Sequence, residues 1–374
     1  MIKPKIEKTV FISDAQISTR IEGNVYGRYF KESGIFNVFP PELENEGELL
    51  GIILPLGNTH SRSKLCGVIT DEGIDFYSYG KKIKKEVYSL YQNIFSRNKG
   101  ILESDVMEQN RAIILGCGSV GSLVALELAR AGVKHFILCD ADIVEYHNVC
   151  RHQCGIEDVG DFKVYAMKRK ILNISPNAEV ITFEGIVQNL PKETLDAFCV
   201  SGNTIFIGCA DNRVADVYTN RISIYYKSSF ISIGFWERAF AGEIFYHIYG
   251  KGMPCYKCAL GDGSNLSARS EANHHVYSNE EDIEALKFEP GISVDINYVT
   301  TIGVKLTLDI LNANNSGYTP RLLNNLRQYT LVCNTSDPAV GGEMVGIFSY
   351  PLQVTTSLKV VFSKKCGDKC KYEK

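Results

Sequence analysis

The stretch "RAIILGCGSVGSLVALELARAG", from Arg111 to Gly132, constrains the fold more than any other part of the chain. A short apolar run leads into three glycines, Gly116, Gly118 and Gly121, spaced as GxGxxG. An apolar-periodic helix comes next and stops at Gly132. Glycine in such a strand–turn–helix unit lets the turn close tightly. It also lets a nucleotide approach the backbone beside the positive end of the helix. A second strand, "HFILCD", ends in Asp140, about 20 residues on, where a carboxylate can accept hydrogen bonds from ribose hydroxyls. On these residues alone a nicotinamide-dependent dehydrogenase fits equally well.

The alternation continues downstream. "VYAMKRKILNISP" predicts a helix stopped by Pro176, and "AEVITFEG" and "TIFIGCAD" predict strands. This pattern predicts an α/β fold: a Rossmann-like, mostly parallel sheet with helices on both faces. Past "ERAFAGEIFYHIYGKG" the spacing turns antiparallel, and "DINYVTTIGVKLTLDILN" reads as a long helix. Residues 1–90 read as a small N-terminal α+β domain, with strand-like runs over Lys8–Ile12 and "LLGIILPL". In "KKIKKEVYSLYQNIFSRNKG" the residues Ile83, Val87, Leu90, Tyr91, Ile94 and Phe95 have helical spacing. Residues 91–374 form the second domain.

Composition sets the class. With 374 residues, 45% of them hydrophobic and 22% charged, the chain can bury a sizeable core. A net charge of −3 argues against nucleic acid as a partner. The opening "MIKPKIEKTVFISDAQ" lacks the apolar stretch of a secretory signal, and no apolar run approaches membrane-spanning length. A cytoplasmic location without membrane partners is therefore expected. Twelve cysteines in a chain this long do not imply a disulfide scaffold. Cys255 and Cys258 form "CYKC", Cys366 and Cys370 form "CGDKC", and the rest are scattered.

Residues beyond Asp140 separate the nucleotide readings. Asp142, Asn148, Arg151 and Lys163 come next, and Asp211 stands in "CADN". Hydride transfer has little use for two cations and a further carboxylate. A triphosphate does, because Arg and Lys neutralise phosphate oxygens and Asp can hold Mg²⁺. In order, "GCGSVG", "DAD", "NVCR", "DVGDFK" and "CADN" resemble the motif series of the ThiF, MoeB and ubiquitin-activating-enzyme superfamily, over about residues 95–370.

The resemblance implies an ATP-dependent adenylyltransferase. A ubiquitin-like protein's C-terminal carboxylate attacks the α-phosphorus of ATP, pyrophosphate leaves and an acyl-adenylate forms. It implies that Gly116, Gly118, Gly121 and Asp140 bind the nucleotide, with Asp140 on the ribose. Asn148, Arg151 and Lys163 take the phosphates, and Asp211 takes Mg²⁺. Asp142 binds nucleotide or orients Arg151. Arg97, in "FSRN", reaches the neighbouring subunit's phosphates, which implies a homodimer. Cys255, Cys258, Cys366 and Cys370 match a closed structural Zn²⁺ site, although the second pair is CxxxC where the family has CxxC.

A terminal carboxylate, with a reference pKa of roughly 3.5, is ionised at neutral pH, so no general base is needed. His152 is read as a packing residue. Repulsion between anions is the obstacle, and positioned cations with Mg²⁺ lower it. The crossover loop, about 262–290, contains no cysteine, so no acyl-accepting thiol is assigned there. Cys333 in "LVCNTSD" reads as a core cysteine. A downstream conjugating or sulfur-transfer partner would then take the acyl group. A ubiquitin-like protein, a small sulfur carrier and a ribosomal peptide (as in MccB-like enzymes) remain open as substrates. Residues 1–90 read as a peptide clamp or a dimerisation scaffold. Outside the family, an NAD-dependent oxidoreductase is the alternative.

Overall fold

Seven short strands build the first part of the chain: β1 (Thr9–Ser13), β2 (Gly23–Phe30), β3 (Ile35–Val38), β4 (Glu48–Leu54), β5 (Cys66–Thr70), β6 (Gly73–Ser78) and β7 (Lys81–Tyr88). The computed structural model describes residues 7–58, 62–90, 92–200, 202–210, 212–261, 290–348, 355–363, 367 and 370. The strands lie in the order β1-β3-β2-β4-β5-β6-β7, and parallel pairing of β1 with β7 closes them into a barrel. Val10, Ile12, Phe36, Val38, Leu50, Ile74 and Phe76 fill its interior. Helix Asp14–Thr19 and the 3-10 turn Pro41–Glu46 accompany the strands, so this part is richer in β-structure than the α+β expectation.

The helix expected from Ile83 onward is not formed. Lys81–Tyr88 is a strand, and residues 92–100 form turns after it. The cause lies just upstream. Tyr79 and Gly80 both adopt left-handed backbone, with φ of 49° and 79°. This is the geometry of a tight hairpin turn, and it folds β7 back along β6 with Phe76 opposite Ile83. The non-local pairing overrides the local helical spacing. Tyr91 lies outside the described residues.

The second sheet has eight strands in the order β10-β9-β8-β11-β12-β13-β14-β15. They are β8 (Arg111–Leu115), β9 (His135–Asp140), β10 (Glu179–Glu184), β11 (Thr204–Gly208), β12 (Ser229–Phe235), β13 (Ala241–His247), β14 (Tyr329–Cys333) and β15 (Thr355–Leu358). β8 to β12 run parallel, and β13, β14 and β15 join antiparallel. All of β11 and nearly all of β8 and β9 are buried, as expected for strands covered on both faces.

Helix Ser119–Arg130 connects β8 to β9, and helix Arg213–Tyr225 connects β11 to β12. The two connections step outward in opposite directions from the β8/β11 pair. Right-handed crossovers therefore put these helices on opposite faces. At such a switch point the carboxyl ends of the strands open into a crevice. Helix Ser293–Leu311 packs along Ser119–Arg130 and β12. Contacts divide the chain into residues 1–99 with 171–177, and residues 100–170 with 178–374. Among the described residues no helix is long and apolar enough to cross a membrane.

Candidate functional site

The glycine turn is built by close approach. A Cβ on Gly121 would lie 1.8 Å from the Gly116 carbonyl oxygen. Gly116 itself has φ +92° and abuts the backbone of Cys209 and Ala210. Gly118 caps helix Ser119–Arg130 with no side-chain hydrogen bond, and a Cβ there would meet nothing within 4 Å. The first turn of the helix thus has amides that no capping side chain satisfies, the arrangement that receives an anion.

These amides face a cavity of about 790 Å³ over the carboxyl ends of the parallel strands. Gly116, Gly118, Asp140, Asp142, Asn148, Arg151 and Lys163 all line it. Gly121 lies beneath the turn. The Asp140 carboxylate accepts the Cys117 amide at 2.6 Å and the Asp142 amide at 2.8 Å. Lys163 is buried, and its Nζ lies 2.7 Å from Asp142 Oδ2, whose carboxylate is largely exposed. Asp142 therefore pairs with Lys163. Asn148 Oδ1 accepts the Glu145 amide at 3.0 Å and so shapes the loop that carries Arg151. A side-chain carbon at Gly291 would come within 3.7 Å of the Arg151 guanidinium.

His152 joins that loop to the turn. Its Nδ1 accepts the Cys154 amide at 2.9 Å, so the ring proton sits on Nε2, which donates to the Cys117 carbonyl at 2.6 Å. Burial, with the nearby Lys163 charge, holds its pKa below the ordinary imidazole value. The ring is thus a neutral brace, in keeping with a packing role. Burial also pushes Cys117 well above the usual thiol range and Cys139 up to about 12, so both thiols are neutral. Cys333 is fully buried in β14 opposite Ala241.

Arg97 is exposed in the first unit and is not among the lining residues. Asp211, Cys366 and the crossover 262–289 lie outside the described residues. Cys255, Cys258 and Cys370 come together, buried, with their ligand atoms within 4.8 Å of one another. Cys258 Sγ lies 3.6 Å from Cys255 Sγ and 3.7 Å from Cys370 Sγ. Tetrahedral zinc with Zn–S of about 2.3 Å sets sulfurs about 3.8 Å apart, so the three thiols fit that ion.

The cavity also holds residues that the motif reading misses: Asp216, buried and bonded to Ser232 Oγ at 2.6 Å, and Trp236 after β12. Their signal is topological. The parallel strands deliver their carboxyl ends to one crevice, so the helix start that follows β11 and the residue after β12 belong there whatever their type.

The model described as "ThiF family" matches residues 93–341. Over 214 residues the chain is 25% identical to ubiquitin-like modifier-activating enzyme 5 of Arabidopsis thaliana, covering 54% of this chain and 47% of that one. Over 121 residues it is 35% identical to tRNA threonylcarbamoyladenosine dehydratase of Bacillus subtilis (strain 168), covering 31% and 46%. The chain thus spans about half the length of these relatives. A crystal structure of E. coli MccB with ATP has a TM-score of 0.51 at 18% identity, covering 75% of each chain, a likeness of fold.

The turn and its brace lead to two expected outcomes. Gly121→Ala is expected to destabilise the chain by about 1–3 kcal/mol. Gly118→Ala, whose Cβ meets open space but which makes a poorer cap, should lower the melting temperature less than Gly121→Ala while weakening nucleotide binding; calorimetry reads both. Because the folded-state pKa of His152 is depressed, the unfolded state takes up its proton first. Its stabilising contribution is complete above the unfolded value of about 6.5 and falls away below it. Urea midpoints should therefore fall as the pH drops below about 6.5, and His152→Gln should flatten that fall.

Proposed function

The chain belongs to the ThiF family, and from that premise we propose that it is an ATP-dependent adenylyltransferase that activates the C-terminal carboxylate of a ubiquitin-like protein. One observation carries this reading: an uncapped helix start, the Asp140 carboxylate, and the cations of Arg151 and Lys163 share one cavity. These cations favour a triphosphate over a nicotinamide dinucleotide.

In the proposed reaction the attacking carboxylate oxygen bonds to the α-phosphorus, and the bond to the bridging oxygen breaks, releasing pyrophosphate. No proton has to move. Arg151, Lys163 and the helix amides offset the charge gathered at phosphorus, which is preorganised electrostatic stabilisation. Asp140 orients the ribose. Asp211 would hold Mg²⁺, which when bound would supply further neutralising charge. Cys255, Cys258 and Cys370, with Cys366, hold a structural Zn²⁺ that takes no part in the chemistry. Arg97 serves the neighbouring subunit of a homodimer, and the protein acts in the cytoplasm.

For residues 1–90 the closed barrel favours a scaffold over a clamp that binds peptide by strand addition. β1 pairs with both β3 and β7, so no barrel strand offers a free edge.

ATP–pyrophosphate exchange, run with candidate ubiquitin-like proteins, tests the reading. Lys163→Ala and Asp211→Ala are each expected to lower exchange by about 10²–10³-fold with the fold retained. Undiminished exchange in both would remove the cation cage from the chemistry. Mixing Arg97→Ala with Lys163→Ala should restore part of the activity, because a heterodimer then holds one intact site. No recovery despite verified subunit exchange would put Arg97 in its own subunit's site.

A further inference from the structure

Glu243, on β13, is 2% exposed, and donors from four other residues meet at its carboxylate. Arg213 donates through Nη2 at 2.8 Å and Nε at 3.3 Å. Trp236 Nε1 donates at 3.0 Å, the Tyr329 hydroxyl at 2.7 Å and the Tyr256 hydroxyl at 3.3 Å. The three ring donors and the bidentate guanidinium fill the acceptor capacity of one carboxylate.

Stability does not account for this arrangement. A buried ion pair costs about as much desolvation as it returns in attraction, and well-packed apolar residues do as well or better. What the carboxylate does supply is a fixed meeting point for three parts of the fold. Trp236 lines the nucleotide cavity. Arg213 opens the helix that Asn212 caps, and Asn212 also lines the cavity. Tyr256 stands between Cys255 and Cys258 in the cysteine knuckle, and its amide donates to Asn220 Oδ1 of the same helix at 2.7 Å. The knuckle therefore grips helix Arg213–Tyr225 at two places, through Asn220 and, by way of Glu243, through Arg213.

We propose that Glu243 is a positioning residue that ties the cysteine knuckle to the wall of the nucleotide cavity. The geometry of Trp236 and of the helix start beside Asn212 then depends on the knuckle being intact. The link rests on the adenylation reading only in taking the cavity's occupant to be ATP.

Trp236 is the single tryptophan of the chain, so its fluorescence reports the cavity wall without interference. Acrylamide quenching is measured on the full chain for wild type, Tyr256→Phe, Glu243→Gln, Cys258→Ser and the Tyr256→Phe/Cys258→Ser double variant. Far-UV circular dichroism checks that each folds. Tyr256→Phe removes one hydroxyl and no charge, so it carries the comparison if Glu243→Gln does not fold. Both variants are expected to raise quenching. Cys258→Ser should raise it in the wild-type background and add little to Tyr256→Phe. ATP titration monitored by the same emission should show the dissociation constant of Glu243→Gln raised about tenfold, from the loss of charge-assisted bonds. Quenching at the wild-type level in Tyr256→Phe and Glu243→Gln would overturn the proposal, as would a Cys258→Ser effect fully additive to that of Tyr256→Phe. The quenching arms need no nucleotide, so a wild-type chain that failed to bind ATP would count against the adenylation reading alone.

Discussion

The missing side chain of Gly121 allows the Gly116 carbonyl to sit where a Cβ would otherwise be, and the geometry of the cavity hangs from that contact. It sets the start of helix Ser119–Arg130 against the end of β8, so the helix amides point into the crevice. The residue between the glycines, Cys117, then fastens two further pieces. Its amide donates to the Asp140 carboxylate at the end of β9, and its carbonyl accepts the hydrogen bond from His152 Nε2. A carboxylate from one strand and a loop from beyond it are thus registered to the same residue. Any larger residue at position 121 would push Cys117 away from both.

The loop from Asp142 to Lys163 is held by its own charges. Ile143 and Phe162 bridge its two ends, and the Lys163 amide donates to the Asp142 carbonyl at 2.9 Å. Burial by itself would raise the Asp158 carboxyl. Bonds from Lys170, the Gly155 amide and Arg169 outweigh it and hold the group below the usual carboxylate range. The cations of helix Lys163–Ile174 therefore divide the work: Arg169 and Lys170 anchor the loop, while Lys163, at the start of the helix, faces the cavity. Fixing the loop in this way limits the reorganisation a cation must undergo when charge develops beside it, the condition under which electrostatic stabilisation is largest.

Much of this architecture is legible in the sequence because it is encoded locally. "RAIILGCGSVG" and "HFILCD" specify strand, turn and carboxylate within one βαβ unit, and the structure has each element where the periodicity puts it. The cations are legible for the same reason, since Arg151 lies on the one loop that succeeds β9 and Lys163 opens the helix at its end. The barrel is less legible. Its strands pair across the chain, β1 with β7 for example, and no local pattern marks the partner. β7 reads as a helix because Ile83 and Val87 satisfy a helical repeat, while the Tyr79–Gly80 turn that decides the matter lies outside that window. Glu243, Trp236 and Tyr256 have no motif at all; they meet through sheet topology, from a strand, a strand end and a short helix.

The thiols bear on the fate of the acyl group in the proposed reaction. A thioester needs a thiolate, and thiolate is scarce where burial raises the pKa. Cys117, Cys139 and Cys209 lie at the glycine turn; burial and the Asp140 charge keep Cys117 and Cys139 protonated, and Cys209 is itself buried against Gly116 and Gly121. Cys333 is enclosed in the sheet, and Cys255, Cys258 and Cys370 are gathered in the knuckle, whose packing leaves them almost no access to solvent. The cysteines closest to the cavity are therefore built as core. In the proposed reaction the acyl-adenylate is then resolved by a nucleophile outside this set, and a partner's thiol or amine arriving at the open side of the cavity meets that need.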